Sequence, residues 1–143
     1  MVTLIGMGSG SWEALSAQAQ DAVRRAGLVF GAKRLLAGLP PECTARQFAL
    51  YQPADILETL AQAPGQDAAV LYSGDTGFYS GASGLLTPLR ALGIPARVYP
   101  GVSSIQLLAA ALGRPWQDWK LVSAHGCACD PVAECMTERS VFF

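Results

Sequence analysis

A short apolar run from Ala68 to Tyr72 ends abruptly in the small-residue segment 73–81, and a helix-like apolar stretch comes after it. The run has the length and composition of a buried strand. In an open α/β sheet, ligands bind at the carboxyl ends of the strands, where glycine-rich turns let the backbone approach a ligand closely. A second such turn, residues 100–104, comes after a later strand. These two turns predict one ligand held between neighbouring loops.

Strand-like and helix-like segments alternate along the first part of the chain. Strands are predicted at 2–5, 28–30, 46–49, 68–72 and 96–99, and helices at 16–26, 33–37, 53–63, 83–92 and 103–112. Strands that alternate with helices through short connections predict an α/β fold, with a parallel sheet and helices on both faces.

The segment Arg114–Asp118 interrupts this alternation, and we place a domain boundary there. Residues 1–114 are predicted to form an N-terminal α/β domain, and residues 115–143 the beginning of a second α/β domain. In the second part we expect a strand at 119–124, a helix at 130–136 and another strand from residue 140. Because the last residues are apolar and β-prone with no turn after them, we expect this second domain to be truncated.

Size and composition argue against several classes of function. The chain has 143 residues, of which 51% are hydrophobic and 15% charged, and a net charge of −1. A chain of this length is enough for one ordinary domain with its core. The scattered basic residues argue against a nucleic-acid partner. With no apolar window of membrane-spanning length and no leader pattern, we expect no membrane association and a cytoplasmic location.

Three of the four cysteines lie close to the single histidine, in the pattern His125-x-Cys127-x-Cys129-x5-Cys135. A structural zinc site usually shows cysteine pairs separated by two to four residues, and Cys-x-Cys closes one tetrahedron poorly. We therefore expect reduced thiols and no metal site. A lone histidine at a strand end is more often a hydrogen-bonded structural residue than a base.

The first glycine turn, Gly6-x-Gly8-x-Gly10, superficially matches a dinucleotide fingerprint. The third glycine comes one position early, and residues 28–32 hold no carboxylate to bind a ribose. A Walker loop is excluded because no Gly-Lys-Ser/Thr occurs. Tight turns without a ligand remain an alternative for the glycines, as does a helix-capping role for Asp75. Tyr72 and Tyr79 are equally compatible with ligand contacts and with core edges.

Several of these segments together resemble the tetrapyrrole methyltransferase family. Residues 2–10 (VTLIGMGSG) are similar to its first loop, residues 73–79 (SGDTGFY) to its S-G-D-P-x-x-Y segment, and residues 100–104 (PGVSS) to its P-G-V-S-S/A turn. Residues 31–36, 113–116 and 123–126 resemble the branch that methylates precorrin-6Y or cobalt-precorrin-7 at C5. The chain departs from the family at Thr76, where proline is usual, and at Cys127, where arginine often comes after His-Gly.

The resemblance implies two α/β domains, S-adenosylmethionine bound in the cleft between them, and a homodimer. The residues it implies for the cofactor are Ser9, Gly74, Asp75, Phe78, Gly101, Ser103, Ser104 and His125. Those it implies for the tetrapyrrole are Gly8 and Gly10. Because the substrate carries many carboxylates, Lys33 and Arg34 are added as its cationic contacts, with ordinary surface charges as the alternative.

The function implied is methyl transfer to C5 of a precorrin in cobalamin biosynthesis, with C15 methylation and decarboxylation left open for the parent protein. No catalytic residue is assigned, and the sequence does not decide whether the ring already carries cobalt. The alternatives are a methyltransferase of the same fold acting on diphthine or ribosomal RNA, and a non-catalytic binding or dimerisation fragment.

Overall fold

The computed structural model of the chain describes residues 1–124 and 128–143. These residues form two compact units, Met1–Ser103 and Ser104–Phe143, which are described in turn. The division by contacts falls at the start of the helix after the third glycine turn, whereas the boundary expected from the sequence lies after residue 114. That expected boundary stays a prediction.

The first unit contains a five-stranded parallel sheet in the order β3-β2-β4-β1-β5. Its strands are β1 (Val2–Gly6), β2 (Leu28–Gly31), β3 (Arg46–Phe48), β4 (Ala68–Tyr72) and β5 (Ala96–Tyr99). Because every pair is parallel, all the carboxyl ends lie at one edge. The order makes β4 and β5 the two neighbours of β1, so the loops after these three strands emerge side by side.

Four α-helices of the first unit agree with the predicted ones to within two residues at each end. They are α1 (Ala17–Arg25), α2 (Lys33–Leu36), α3 (Pro53–Ala61) and α4 (Ala82–Ala91). The Ser16 hydroxyl caps α1 by accepting from the backbone N–H of Ala19 at 3.2 Å. A short 3-10 helix, Trp12–Ala14, was not predicted.

Alternate residues of the strands face two hydrophobic cores, one on each side of the sheet. Ile5 and Leu71 belong to the core that contains residues of α1 and α2. Leu4 and Val70 belong to the other core, with residues of α3 and α4. The three inner strands β1, β2 and β4 are covered on both faces and are almost entirely apolar rather than alternating. The edge strands β3 and β5 are mostly exposed and carry polar residues, among them Arg46 and Arg97.

The second unit contains α5 (Ser104–Leu112), β6 (Lys120–Leu121), α6 (Pro131–Cys135) and β7 (Val141–Phe142). Strands β6 and β7 pair in parallel, and the Lys120 ammonium lies 2.7 Å from the Glu134 carboxylate of α6. The strand predicted at 119–124 is shorter than expected because β7 offers only two residues to pair with.

The predicted fold class, a parallel sheet with helices on both faces and then a second α/β segment, is confirmed. No helix within residues 1–124 and 128–143 has both the length and the apolar composition needed to cross a membrane.

Candidate functional site

Three loops at the carboxyl edge of the sheet make up the candidate site. Loop 1 comprises residues 6–10, which begin at the last residue of β1. Loop 2 comprises residues 73–79 after β4, and loop 3 comprises residues 100–103 after β5. All three belong to the first compact unit. The two turns that the sequence predicts to share a ligand are therefore close to each other, and loop 1 joins them.

Loops 1 and 2 are joined by a reciprocal pair of backbone hydrogen bonds. The N–H of Gly8 donates to the carbonyl of Gly74 at 3.0 Å, and the N–H of Gly74 donates to the carbonyl of Gly8 at 2.9 Å. Both residues have left-handed backbone angles, φ +57° and +66°, which glycine adopts without the strain a side chain brings. The glycine pair thus continues the β1–β4 contact beyond the ends of the strands.

Loop 3 packs directly against the other two, with no room for side chains. A Cβ added to Gly101 would lie 2.5 Å from the carbonyl oxygen of Gly6 and closer still to that of Gly74. A Cβ added to Gly6 would lie 2.6 Å from the backbone nitrogen of Gly101. Real Cβ atoms do not approach backbone so closely, so glycine is required at both positions.

The carboxylate of Asp75 connects loop 2 to loop 3. One oxygen, Oδ2, accepts from the N–H of Gly77 at 2.9 Å, and the other, Oδ1, accepts from the N–H of Gly101 at 3.0 Å. The hydroxyl of Thr76 donates to the carbonyl of Tyr99 at 3.4 Å and so links loop 2 to the end of β5, directly before loop 3. Proline, the usual family residue at position 76, has no hydroxyl to make this link.

A cation lies beside loops 1 and 2. The guanidinium of Arg34, on α2, donates from Nη2 to the Ser73 hydroxyl at 2.6 Å. Its Nη1 lies 3.8 Å from where a Cβ on Gly10 would be. Arg34 and the neighbouring Lys33 are both exposed. The sequence singled out both cations, and Arg34 is the one that the structure brings to the loops.

Two aromatic residues lie in loop 2 and a third lies directly before it. The rings of Phe78 and Tyr79 meet edge to face, with their centroids 4.8 Å apart. Tyr79 has a positive φ of 47°, unusual for a residue with a side chain, and its side chain is 61% exposed. Tyr72, at the end of β4, is half-buried, and burial raises the pKa of its phenol to about 12.

Four glycine N–H groups of the turns are bonded within the protein. Gly8 and Gly74 donate to each other, Gly101 donates to Asp75, and Gly10 donates to the carbonyl of Met7 at 2.8 Å. A phosphate cradle needs several such groups pointing at the ligand. These four glycines therefore offer close backbone approach, while their own N–H groups bond within the protein rather than to a phosphate.

The remaining predicted site residues lie in several different places. Ser9 is exposed in loop 1, and Ser103 is buried at the end of loop 3. Ser104 is the first residue of α5 and belongs to the second unit. His125 and Cys127 lie outside the described residues.

Sequence reasoning missed three residues that shape the site, namely Gly6, Ser73 and Thr76. Each is part of a family-like motif, but the motif alone assigns it no role. The partners of these residues come from other segments, at Gly101, Arg34 and Tyr99 respectively. Only the strand order, which no local pattern encodes, brings them together.

The fold and the three loops define an α/β domain whose candidate ligand site lies at the carboxyl ends of its parallel strands. The sequence profile of the family described as Tetrapyrrole (Corrin/Porphyrin) Methylases matches residues 1–140. The chain belongs to this family, as its sequence motifs predicted.

Individual relatives carry names from the predicted branch. The chain is 34% identical over 128 residues to a cobalt-precorrin-7 C(5)-methyltransferase of Salmonella typhimurium, covering 88% of this chain and 62% of the relative. It is 32% identical over 127 residues to a precorrin-6Y C(5,15)-methyltransferase [decarboxylating] of Sinorhizobium sp, covering 87% and 30%. The chain thus spans less than two thirds of the length of these relatives.

Among solved structures, the methyltransferase CobJ superposes with a TM-score of 0.72 at 26% identity, covering 85% of this chain and 54% of that one. This share of the chain is larger than the first unit, Met1–Ser103, so the likeness includes residues of the second unit.

Proposed function

We propose that the chain carries a cofactor-binding part of an S-adenosylmethionine-dependent methyltransferase that acts on C5 of a precorrin. The observation that carries the proposal is the trio of neighbouring turns in which Gly8, Gly74 and Gly101 leave the backbone bare and have their N–H groups bonded within the protein. S-adenosylmethionine is a nucleoside without phosphates, so it suits such a site better than a dinucleotide does. The names of the Salmonella and Sinorhizobium relatives support the choice of C5.

The loops fit the cofactor in shape and in chemistry. Gly74 and Gly101 provide close backbone approach, and Phe78 offers an apolar ring for stacking against a base. Once bound, the cofactor supplies an electrophilic methyl group on a sulfonium. The remaining proposed contacts, implied by the family resemblance, are Ser9, Asp75, Ser103, Ser104 and His125.

Arg34 is the proposed contact for a carboxylate of the tetrapyrrole. Its guanidinium is exposed yet oriented by the Ser73 hydroxyl, which leaves other N–H groups to donate to a ligand. Guanidinium forks bind carboxylates in a bidentate manner, which fixes orientation as well as affinity. Lys33 is placed one residue earlier on the same helix, while Gly8 and Gly10 provide the surface against which the ring would lie.

The protein's part in the reaction is to position the reactants. Carbon acceptors conjugated to pyrrole nitrogens are nucleophilic, so alignment with the methyl group within near-attack distance contributes several kcal/mol without a strong base. Tyr72 does not act as a base near neutral pH, because burial raises its pKa to about 12. We assign no residue of the chain as a base.

A homodimer in the cytoplasm is part of the same proposal, as the resemblance implies. Methyltransferases of the same fold that act on diphthine or ribosomal RNA are the runner-up, and a non-catalytic fragment is the third possibility. The net charge of −1 favours the corrinoid over RNA.

Calorimetric titration tests the cofactor assignment. We expect the chain to bind S-adenosylhomocysteine with a dissociation constant below about 1 mM, and to bind NAD at least tenfold more weakly. Equal or stronger NAD binding would contradict the assignment. For the substrate, incubation with methyl-labelled cofactor and a precorrin should label C5, and a label on another ring carbon or on RNA would select a rival function.

A further inference from the structure

We propose that Asp75 is a positioning residue: its carboxylate holds loop 3 against loop 2, so that the cofactor surface exists before a ligand arrives. The inference rests on the proposed function, because it gives a role within that cofactor site. Asp75 binds Gly77 in its own loop through one oxygen and Gly101 in loop 3 through the other. Asp75 and Gly101 are 26 positions apart in sequence, so the carboxylate connects two distant segments.

The bond to Gly101 lies where loop 3 is most crowded. The carbonyl oxygens of Gly6 and Gly74 both lie close to the Cα of Gly101, on the side where a Cβ would be. The N–H of Gly101 is the donor that loop 3 directs to Asp75. A bond to a charged acceptor is stronger than a neutral one, so it holds loop 3 at the point where its backbone comes close to the other two loops.

The simplest competing role is capping helix α4, but the residue at its N-cap position is Gly81. Helix α4 begins at Ala82, and the hydroxyl of Ser80 accepts from the N–H of Ala82 at 3.2 Å. Asp75 is several residues away in sequence and bonds to Gly77 and Gly101 instead. Its carboxylate therefore serves the contact between loops and not the start of the helix.

A direct contact with the ligand is the other competing role. Each carboxylate oxygen keeps a further lone pair, so a ligand hydroxyl can be added to the two backbone bonds. The two roles differ in what a substitution does to Gly101. If Asp75 positions loop 3, the N–H of Gly101 is released whether or not a ligand is present.

The test combines amide hydrogen exchange with S-adenosylhomocysteine titration on the wild-type chain, Asp75→Asn and Asp75→Ala, with Ser80→Ala as the matched control. Asparagine keeps one acceptor oxygen and alanine none. We expect Gly101 to exchange at least tenfold faster in Asp75→Ala, while Leu4 in β1 stays protected. Affinity for the nucleoside should fall about tenfold in Asp75→Asn and further in Asp75→Ala. Ser80→Ala should change neither quantity.

Two results would overturn the positioning role. Loss of affinity with Gly101 still protected would show that Asp75 contacts the ligand itself. Fast exchange at Gly101 with unchanged affinity would show that the bond does not matter for binding.

Failure of the proposed function gives a different result. If the wild-type chain does not bind the nucleoside, the cofactor assignment fails, and the contact between loops is then judged by exchange alone. Faster exchange at Gly101 in Asp75→Ala would still support that contact, and unchanged protection would overturn it as well.

Discussion

Gly8 and Gly74 donate backbone hydrogen bonds to each other's carbonyls, at 3.0 and 2.9 Å, two residues beyond the ends of strands β1 and β4. The pair converts two separate turns into one continuous surface. It also uses the N–H groups that a phosphate-binding turn directs at its ligand. Gly8 and Gly74 therefore contribute a close backbone surface and do not direct their N–H groups at a ligand.

Replacing Gly101 with alanine should be severely destabilising. The new Cβ would meet the carbonyl oxygen of Gly6 at 2.5 Å and that of Gly74 at a still shorter distance, and backbone cannot move aside cheaply. We expect a loss of at least about 3 kcal/mol in the free energy of unfolding, measured by urea denaturation.

The matched control for this substitution is Gly84→Ala. Gly84 lies inside α4, and its added Cβ would meet only Pro53 Cγ, at an ordinary 3.6 Å. Alanine is favoured over glycine inside a helix by about 0.5–1 kcal/mol, so this variant should be slightly more stable than the wild type. Equal effects of the two substitutions would refute the packing argument.

At position 79, the glycine variant should be more stable than the alanine variant, which is the reverse of the usual order. Its φ of 47° is left-handed, where glycine carries no steric cost and alanine does. We expect Tyr79→Gly to be about 1 kcal/mol more stable than Tyr79→Ala by thermal denaturation. At Tyr51, another exposed tyrosine, which is not among the positive-φ residues, alanine should be at least as stable as glycine. The same order at both sites would count against a strained Tyr79.

Tyr72 should make stability depend on pH in the alkaline range. Burial raises the pKa of its phenol from 10.0 to about 12, so between these values the folded chain keeps a proton that the unfolded chain loses. The stabilisation is complete below about pH 10 and decreases as the pH rises towards about 12. The difference in unfolding free energy between wild type and Tyr72→Phe should therefore be constant below about pH 9 and shift against the wild type above about pH 10. Parallel pH curves would contradict this.

Arg34 should affect tetrapyrrole binding and leave nucleoside binding intact. Lysine keeps the charge but cannot donate to Ser73 and a carboxylate with the same fork. We expect Arg34→Lys to weaken the affinity for a carboxylate-bearing tetrapyrrole about tenfold, measured by fluorescence titration, with S-adenosylhomocysteine affinity unchanged. Arg90→Lys on α4 is the control and should change neither affinity. Equal effects of the two variants would show that Arg34 is an ordinary surface charge and not a contact for the tetrapyrrole.

The inner strands of the sheet were predictable because β1, β2 and β4 are buried apolar runs bounded by turn residues. The predicted runs 68–72 and 96–99 have the same bounds as β4 and β5. The bounds of β4 are clear because a parallel strand covered on both faces is apolar along its length. Trp12–Ala14 was missed because a single 3-10 turn is too short to show a period.

The sequence predicted which loops form the site, but it did not predict the hydrogen bonds between them. Glycines and one carboxylate at strand ends indicated where a ligand binds. That Asp75 bonds to Gly101 depends on β1 lying between β4 and β5. Sequence spacing does not encode that order, and it equally hides the contact between Arg34 and Ser73.

Mapping S-adenosylhomocysteine onto backbone amide resonances tests the central claim most directly, because chemical shifts report even weak binding. At about 1 mM nucleoside we expect shifts concentrated at Gly8, Gly74 and Gly101, with little change in the groove that Gln18 and Arg97 line beside β5. No shifts in the three loops, or shifts confined to that groove, would contradict the account.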